Sequence, residues 1–219
     1  MSDADNTTPA ETAAEAGTPA RKRPKPGERR IQILQALASM LEQPGAERIT
    51  TAALAAKLEV SEAALYRHFA SKAQMFEGLI EFIEQAVFTL IGQIAEREAA
   101  ATDPAAGARH AGKVVTMLLQ FAEKNPGMVR VMVGDALVFE NERLQQRMNQ
   151  FFDKIESTLK QCLRDGAQSG GSMTPTADAQ VQASVLTAFL VGRLQRFARS
   201  GFRRMPTEHL DASLAQMLR

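Results

Sequence analysis

Between Ile49 and Phe69 the apolar residues fall at spacings that two short helices meeting across a tight turn satisfy and a strand does not. Leu54, Ala55 and Leu58 share one face of a first short helix; Leu65 and Phe69, four apart, share one face of a second. Thr50 or Thr51 is placed to cap the first and Ser61 the second, because a side-chain oxygen there accepts a backbone N–H that has no partner within the helix. Glu62 in the first turn suits the positive end of the helix dipole. Leu58–Ser61 supplies a turn of the required length, Ala55 is small enough for the helices to cross, and Leu54, Leu58, Val60 and Leu65 fix the crossing angle. The pattern predicts a helix-turn-helix. Ser61, Glu62, Ala63 and Ala64 then keep the start of the second helix small and polar, as entry into a DNA major groove requires. Glu59 stands where such turns usually hold glycine in a left-handed conformation, at a cost of about 1 kcal/mol.

The rest of the chain is read as helices separated by Pro and Gly breaks. A helix from about Glu28 to Glu42 carries Ile31, Leu34, Ala38 and Leu41 at three- and four-residue spacing, and Gln43-Pro44-Gly45 ends it. Lys72 to about Arg97 forms one long amphipathic helix, broken near Thr102-Asp103-Pro104. Val114, Val115, Leu118 and Phe121 mark the next, ended by Asn125-Pro126-Gly127, and a short one follows around Val129–Val133. Glu140–Arg164 and Asp178–Arg199 are long and apolar-faced, with a Gly/Ser loop over Gln168–Pro175 between them, and Met205-Pro206 opens a last segment that suits a helix to the end. No run alternates as a strand does, so the fold class is all-α. The expected organisation is a tail over 1–27, a helix-turn-helix domain over 28–72, and a helical dimerisation and partner-binding domain over 73–219.

Charge is segregated although the net is only +1. Residues 1–20 hold four acids and no bases, and read as disordered. Residues 21–72 hold ten Lys and Arg against five Asp and Glu, while the remainder sums to zero. Positive charge on one short segment fits phosphate contact, and the proline-broken arm Arg21-Lys22-Arg23-Pro24-Lys25-Pro26-Gly27 is read as touching the DNA backbone. The single cysteine, Cys162, excludes an intramolecular disulfide and suits a reducing cytoplasm. The polar, acidic start is unlike a secretory signal, and the longest apolar runs, such as Val114–Leu119, are too short to cross a bilayer. A soluble, cytoplasmic protein without membrane contact is expected.

The segment ending Leu65-Tyr66-Arg67-His68-Phe69-Ala70-Ser71-Lys72 resembles the DNA-binding region of the TetR family. The resemblance implies that Thr50, Thr51, Tyr66, His68 and Lys72 approach backbone phosphates of double-stranded DNA, with Ser61, Glu62, Ala63 and Arg67 completing the interface. The stretches 61–85, 121–156 and 189–212 are similar to the nucleoid occlusion factors within that family, and the likeness runs from about residue 29 to the end. Such factors bind scattered chromosomal sites. When DNA-bound they engage the C-terminal tail of the tubulin-like division protein FtsZ and prevent ring assembly over unsegregated DNA. Their partner groove lies between the fourth and fifth helices, which carries over to Phe82, Met117, Lys124 and Asn125; an apolar groove with a basic rim suits a tail of apolar and acidic residues. The two long C-terminal helices imply a homodimer. Two recognition helices are then roughly 34 Å apart and predict a palindromic site.

An enzyme is not expected. His68, His110 and His209 lie far apart, no spacing suits a metal, and there is no nucleophile elbow or P-loop, so no cofactor is assigned. The competing reading is a ligand-responsive repressor of the same fold, whose helices enclose a small molecule. A third is an interaction module that has lost duplex binding.

Overall fold

The computed structural model describes residues 27–43, 49–98, 103, 105–169 and 173–218. The expected acidic tail, the basic arm before Gly27, Pro44-Gly45, Pro104 and Gly170-Gly171 lie outside them. The described residues contain helices and turns and no strand.

Helix α1 spans Glu28–Leu41, α2 Thr51–Lys57, α3 Glu62–Tyr66 and α4 Lys72–Glu98. Helix α5 spans Ala106–Lys124, α6 Pro126–Met132, α7 Glu142–Ser169, α8 Pro175–Arg199 and α9 Leu210–Met217. A 3-10 turn, Asp135–Leu137, joins α6 to α7. Several of these differ at their ends from the sequence expectation; α6, for one, begins at Pro126, inside the expected break. Helix α7 continues past Arg164 to Ser169. Helix α8 begins at Pro175, where a missing N–H costs nothing at the first helical position. The last segment is turn until His209, and only Leu210–Met217 is helical.

One hydrophobic core runs from Ile33 on α1 to Leu214 on α9. The face that α1 buries is Ile33, Leu34, Leu37, Ala38 and Leu41; Ile31, expected on that face, lies at its edge and is 48% exposed. Helix α4 is long and apolar enough to cross a membrane by length and composition, contrary to the expectation that no stretch is. Met75, Phe76, Leu79, Ile80, Ile83 and Val87 bury its inner stripe in the protein core. Helices α7 and α8 pack antiparallel along their length, with Gln180 donating to Glu156 at 2.9 Å. Phe151 sits within this body, edge-on to Phe88 and Phe152.

Two glycines set close crossings. A Cβ on Gly107 of α5 would stand 2.2 Å from the Cys162 carbonyl of α7, and one on Gly127 of α6 would stand 1.9 Å from the Ala38 carbonyl of α1. The second crossing seats α1, the helix that precedes the helix-turn-helix, on the C-terminal body. Across the gap between α4 and α5, Asp103 accepts a two-pronged contact from Arg109 at 2.7 and 2.6 Å, which holds its carboxyl down to about 2. Lys113 pairs with Glu98 and lowers that carboxyl too. His110 beside them is held below the ordinary imidazole range, chiefly by burial. Burial likewise pushes the Cys162 thiol up to about 11.

Candidate nucleic-acid interface

The helix-turn-helix is assembled by local hydrogen bonds that its sequence dictates. Thr50 caps α2, its Oγ1 accepting the Ala53 N–H at 3.1 Å. Ser61 caps α3 in the same way, accepting the Ala64 N–H at 3.2 Å. Between them the chain folds back so that the Val60 N–H donates to the Ala55 carbonyl at 3.0 Å. That closure needs a left-handed residue, and Glu59 takes it at φ 53°. Leu54, Ala55, Leu65 and Phe69 are buried beneath the motif.

Above this floor the start of α2 meets α3. The Thr51 hydroxyl donates to Glu62 at 2.6 Å, and the Tyr66 hydroxyl lies 3.5 Å from Thr51 Oγ1. Tyr66 is 45% exposed, so it is not a core aromatic. Ser61, Glu62, Ala63, Arg67 and His68 are exposed with it. Thr50, Thr51, Ser61, Glu62 and Tyr66 thus come together on the outer side of two short helices, with hydroxyl donors at the start of each.

Lys72 stands apart from this cluster. It opens α4 as the sequence indicates, but its ammonium pairs with Glu140 at 2.5 Å, just before α7, and lies 5.7 Å from the Phe76 ring centre. A lysine held by a carboxylate has to exchange that partner to reach a phosphate.

Two contacts were not foreseen. Arg30 of α1 lies 4.3 Å from the Phe69 ring centre and donates to the His68 carbonyl at 3.3 Å, clamping the end of the motif. Lys57 at the end of α2 donates to Ser39 on α1 at 3.0 Å. The basic residues themselves are visible in sequence, but their partners lie 38 and 18 residues away.

The residues carried over for partner binding fall in two settings. Phe82 is 38% exposed and lines a small apolar cleft with Ile31 and Leu34 of α1 and Met128 of α6. On α5, Met117 is half-buried against the core and Lys124 is exposed. Asn125 ends α5, its side-chain amide donating to the Phe121 carbonyl at 2.7 Å.

Residues 33–79 match the family described as bacterial regulatory proteins, tetR family, and residues 109–219 match the tetracycline repressor-like C-terminal domain of SlmA type. The nucleoid occlusion factor SlmA of Idiomarina loihiensis is 50% identical over 184 residues, covering 84% of this chain and 90% of its own. That of Vibrio vulnificus is 49% identical over 188 residues, covering 85% and 92%. Among solved structures, the transcriptional regulator FadR of Bacillus subtilis, in complex with stearoyl-CoA, superposes with a TM-score of 0.67 at 14% identity, covering 86% of this chain and 97% of its own. A TetR/AcrR regulator of Thermobifida fusca superposes with a TM-score of 0.63 at 14% identity, covering 87% and 97%; both likenesses speak for the fold.

Proposed function

Because the chain belongs to the SlmA-type nucleoid occlusion factors of the TetR family, we propose that, bound to chromosomal DNA, it antagonises FtsZ ring assembly over the nucleoid. The observation that carries this reading is identity of about half to curated nucleoid occlusion factors through both the DNA-binding and the C-terminal regions. In this reading a homodimer, associated through α7 and α8, presents two copies of α3 to a palindromic site. Val181 and Val185 on the outer side of α8 are large and exposed, as an unpaired dimer face requires.

The DNA contacts are assigned to Thr50, Thr51, Ser61, Glu62, Ala63, Tyr66, Arg67, His68 and Lys72. Hydroxyls and exposed cations of this kind hydrogen-bond phosphate and fix register, while the exposed start of α3 meets base edges. Domain limits of 28–72 and 73–219 put these contacts in the first unit, preceded by the tail over 1–27. Phe82, Met117, Lys124 and Asn125 are assigned to the FtsZ tail, with Phe82 as the apolar anchor and Lys124 as the cation for acidic residues. The protein so described is cytoplasmic, nucleoid-associated and not an enzyme.

The test is binding of a labelled FtsZ C-terminal tail peptide to the purified protein, with and without chromosomal fragments that it retains. Specific binding, lost in a folded Phe82→Ala protein, supports the proposal. Intact DNA binding with no peptide bound in either condition rejects FtsZ antagonism and favours the ligand-responsive repressor.

A further inference from the structure

The ion pair of Lys72 with Glu140 ties the first residue of α4, just past the helix-turn-helix, to the segment that leads into α7. The charged ends are 2.5 Å apart, and the Glu140 side chain is 10% exposed against 33% for Lys72. The carboxylate is therefore the more deeply covered of the two, and Lys72 is its ion-pair partner among the described residues.

The backbone is fixed on both sides of the pair. At the start of α4, Ser71 Oγ accepts the Gln74 N–H at 3.2 Å and Gln74 Oε1 accepts the Ala70 N–H at 2.9 Å. Glu140 lies between Leu137 and Leu144, both buried, and its N–H donates to the Leu137 carbonyl at 3.0 Å. Asn141 beside it holds the start of α7, its Oδ1 accepting the Arg143 N–H at 3.0 Å. The ammonium, by contrast, sits on a flexible four-carbon stem. Of the two charges, the lysine is the one able to change partner.

We infer that, given the phosphate contact assigned to Lys72 above, Glu140 is an internal competitor for that ammonium and sets how tightly the protein holds DNA. To reach a phosphate, Lys72 has to leave a carboxylate that is mostly covered. A covered carboxylate without its counter-charge is costly, so part of the attraction between lysine and phosphate is cancelled. Phosphate contacts carry no sequence information, and the cancellation weakens operator and random duplex by the same factor. Glu140 is thus a positioning residue that acts through Lys72. A carboxylate also repels phosphate through space, but that effect operates whether or not Lys72 is present, which makes the two separable.

The experiment is fluorescence anisotropy of the full chain with a labelled chromosomal fragment that it retains and with a random duplex of the same length. Wild type, Glu140→Gln, Lys72→Gln and the double variant are compared, each with its thermal melting curve. Glu140→Gln is expected to tighten both duplexes by about three- to tenfold, because a dimer holds two such pairs and each contributes a factor of a few. Its melting temperature is expected to stay the same or fall, so that tighter DNA binding does not reflect a more stable fold. Lys72→Gln weakens both duplexes, and in that background removal of Glu140 changes nothing, since the two residues act as one unit. Should Glu140→Gln not fold, Glu140→Ala takes its place. Unchanged or weaker DNA binding in the Glu140 variant, beside a weakened Lys72→Gln, overturns the inference and leaves the phosphate contact standing. A gain that persists in the Lys72→Gln background assigns the effect to repulsion through space and overturns it as well. Wild-type affinity in Lys72→Gln removes the phosphate contact itself, and the inference with it.

Discussion

Gly127 of α6 rests on the Ala38 carbonyl of α1 at a distance that leaves no room for a side chain, since an added Cβ would stand 1.9 Å from that oxygen and 2.9 Å from its carbon. Backbone is on both sides of this contact, so no rotamer change relieves it. Gly127→Ala is therefore expected to destabilise the fold by about 1–3 kcal/mol, the range of overpacked cores. Gly92 in α4 has nothing within 4 Å of its Cβ position, so Gly92→Ala is expected to stabilise by up to about 1 kcal/mol through helix propensity. Urea unfolding of the two variants checks the opposite signs.

Tyr66→Phe removes one hydroxyl from a side chain that is 45% exposed and whose hydroxyl makes only a long contact, 3.5 Å, to Thr51 Oγ1. Stability should stay within about 0.5 kcal/mol. If that hydroxyl contacts phosphate, a bond to a charged group worth roughly 1.5–3 kcal/mol is lost, and DNA affinity falls about tenfold or more. The fall should be uniform across operator and random duplexes, as for a backbone contact. Equal affinity of wild type and variant in a gel-shift or anisotropy titration rejects the assignment.

Glu59→Gly relieves the left-handed residue of the turn at φ 53°. The strain of a non-glycine residue is about 1–2 kcal/mol, and the extra entropy of an unfolded glycine returns roughly half of it. A net gain of up to about 1 kcal/mol in unfolding free energy is expected, with DNA affinity unchanged. A lower melting temperature would show that the side chain's own interactions outweigh the strain.

His110 gives the stability a pH dependence of known sign. Burial lowers its folded-state pKa, opposed by Glu98 and Asp165 and reinforced by Lys113, and its Nε2 is buried without a hydrogen-bond partner. The unfolded imidazole, with a pKa of about 6.5, takes up a proton first as pH falls. Stability is full above that value and declines as pH drops from about 6.5 towards the folded pKa. Urea midpoints at pH 7.5 and 5.5 should show the decline, and His110→Gln should flatten it. A slope that is identical in the variant assigns the effect to other groups.

The helix-turn-helix is legible in the sequence because its constraints are local. The Thr50 and Ser61 caps act three residues on, and the left-handed turn sits between anchors less than ten residues apart. The all-helical class is legible for the same reason, through three- and four-residue apolar spacing. Ile31 shows the limit: it keeps that spacing from Leu34, but the buried face of α1 is centred on Ile33, Leu37 and Leu41, and this leaves Ile31 at the rim beside Phe82. Lys72 shows another. Its place at the start of α4 follows from the pattern, whereas its pairing with Glu140 depends on how α7 is delivered to that end of the body. The arginines at 193–204 are plain in the sequence, whereas the left-handed backbone at Gly201, Phe202 and His209 after α8 is not.

The Thr51 hydroxyl already spends its proton on Glu62 in the unbound protein. If Thr51 meets a phosphate, as proposed above, that carboxylate holds the donor in position before any duplex arrives. A phosphate that takes this hydroxyl replaces one charged acceptor with another, so the exchange contributes little net attraction to arbitrary DNA. Under the proposed assignment, grip then has to come from contacts that displace no partner within the protein.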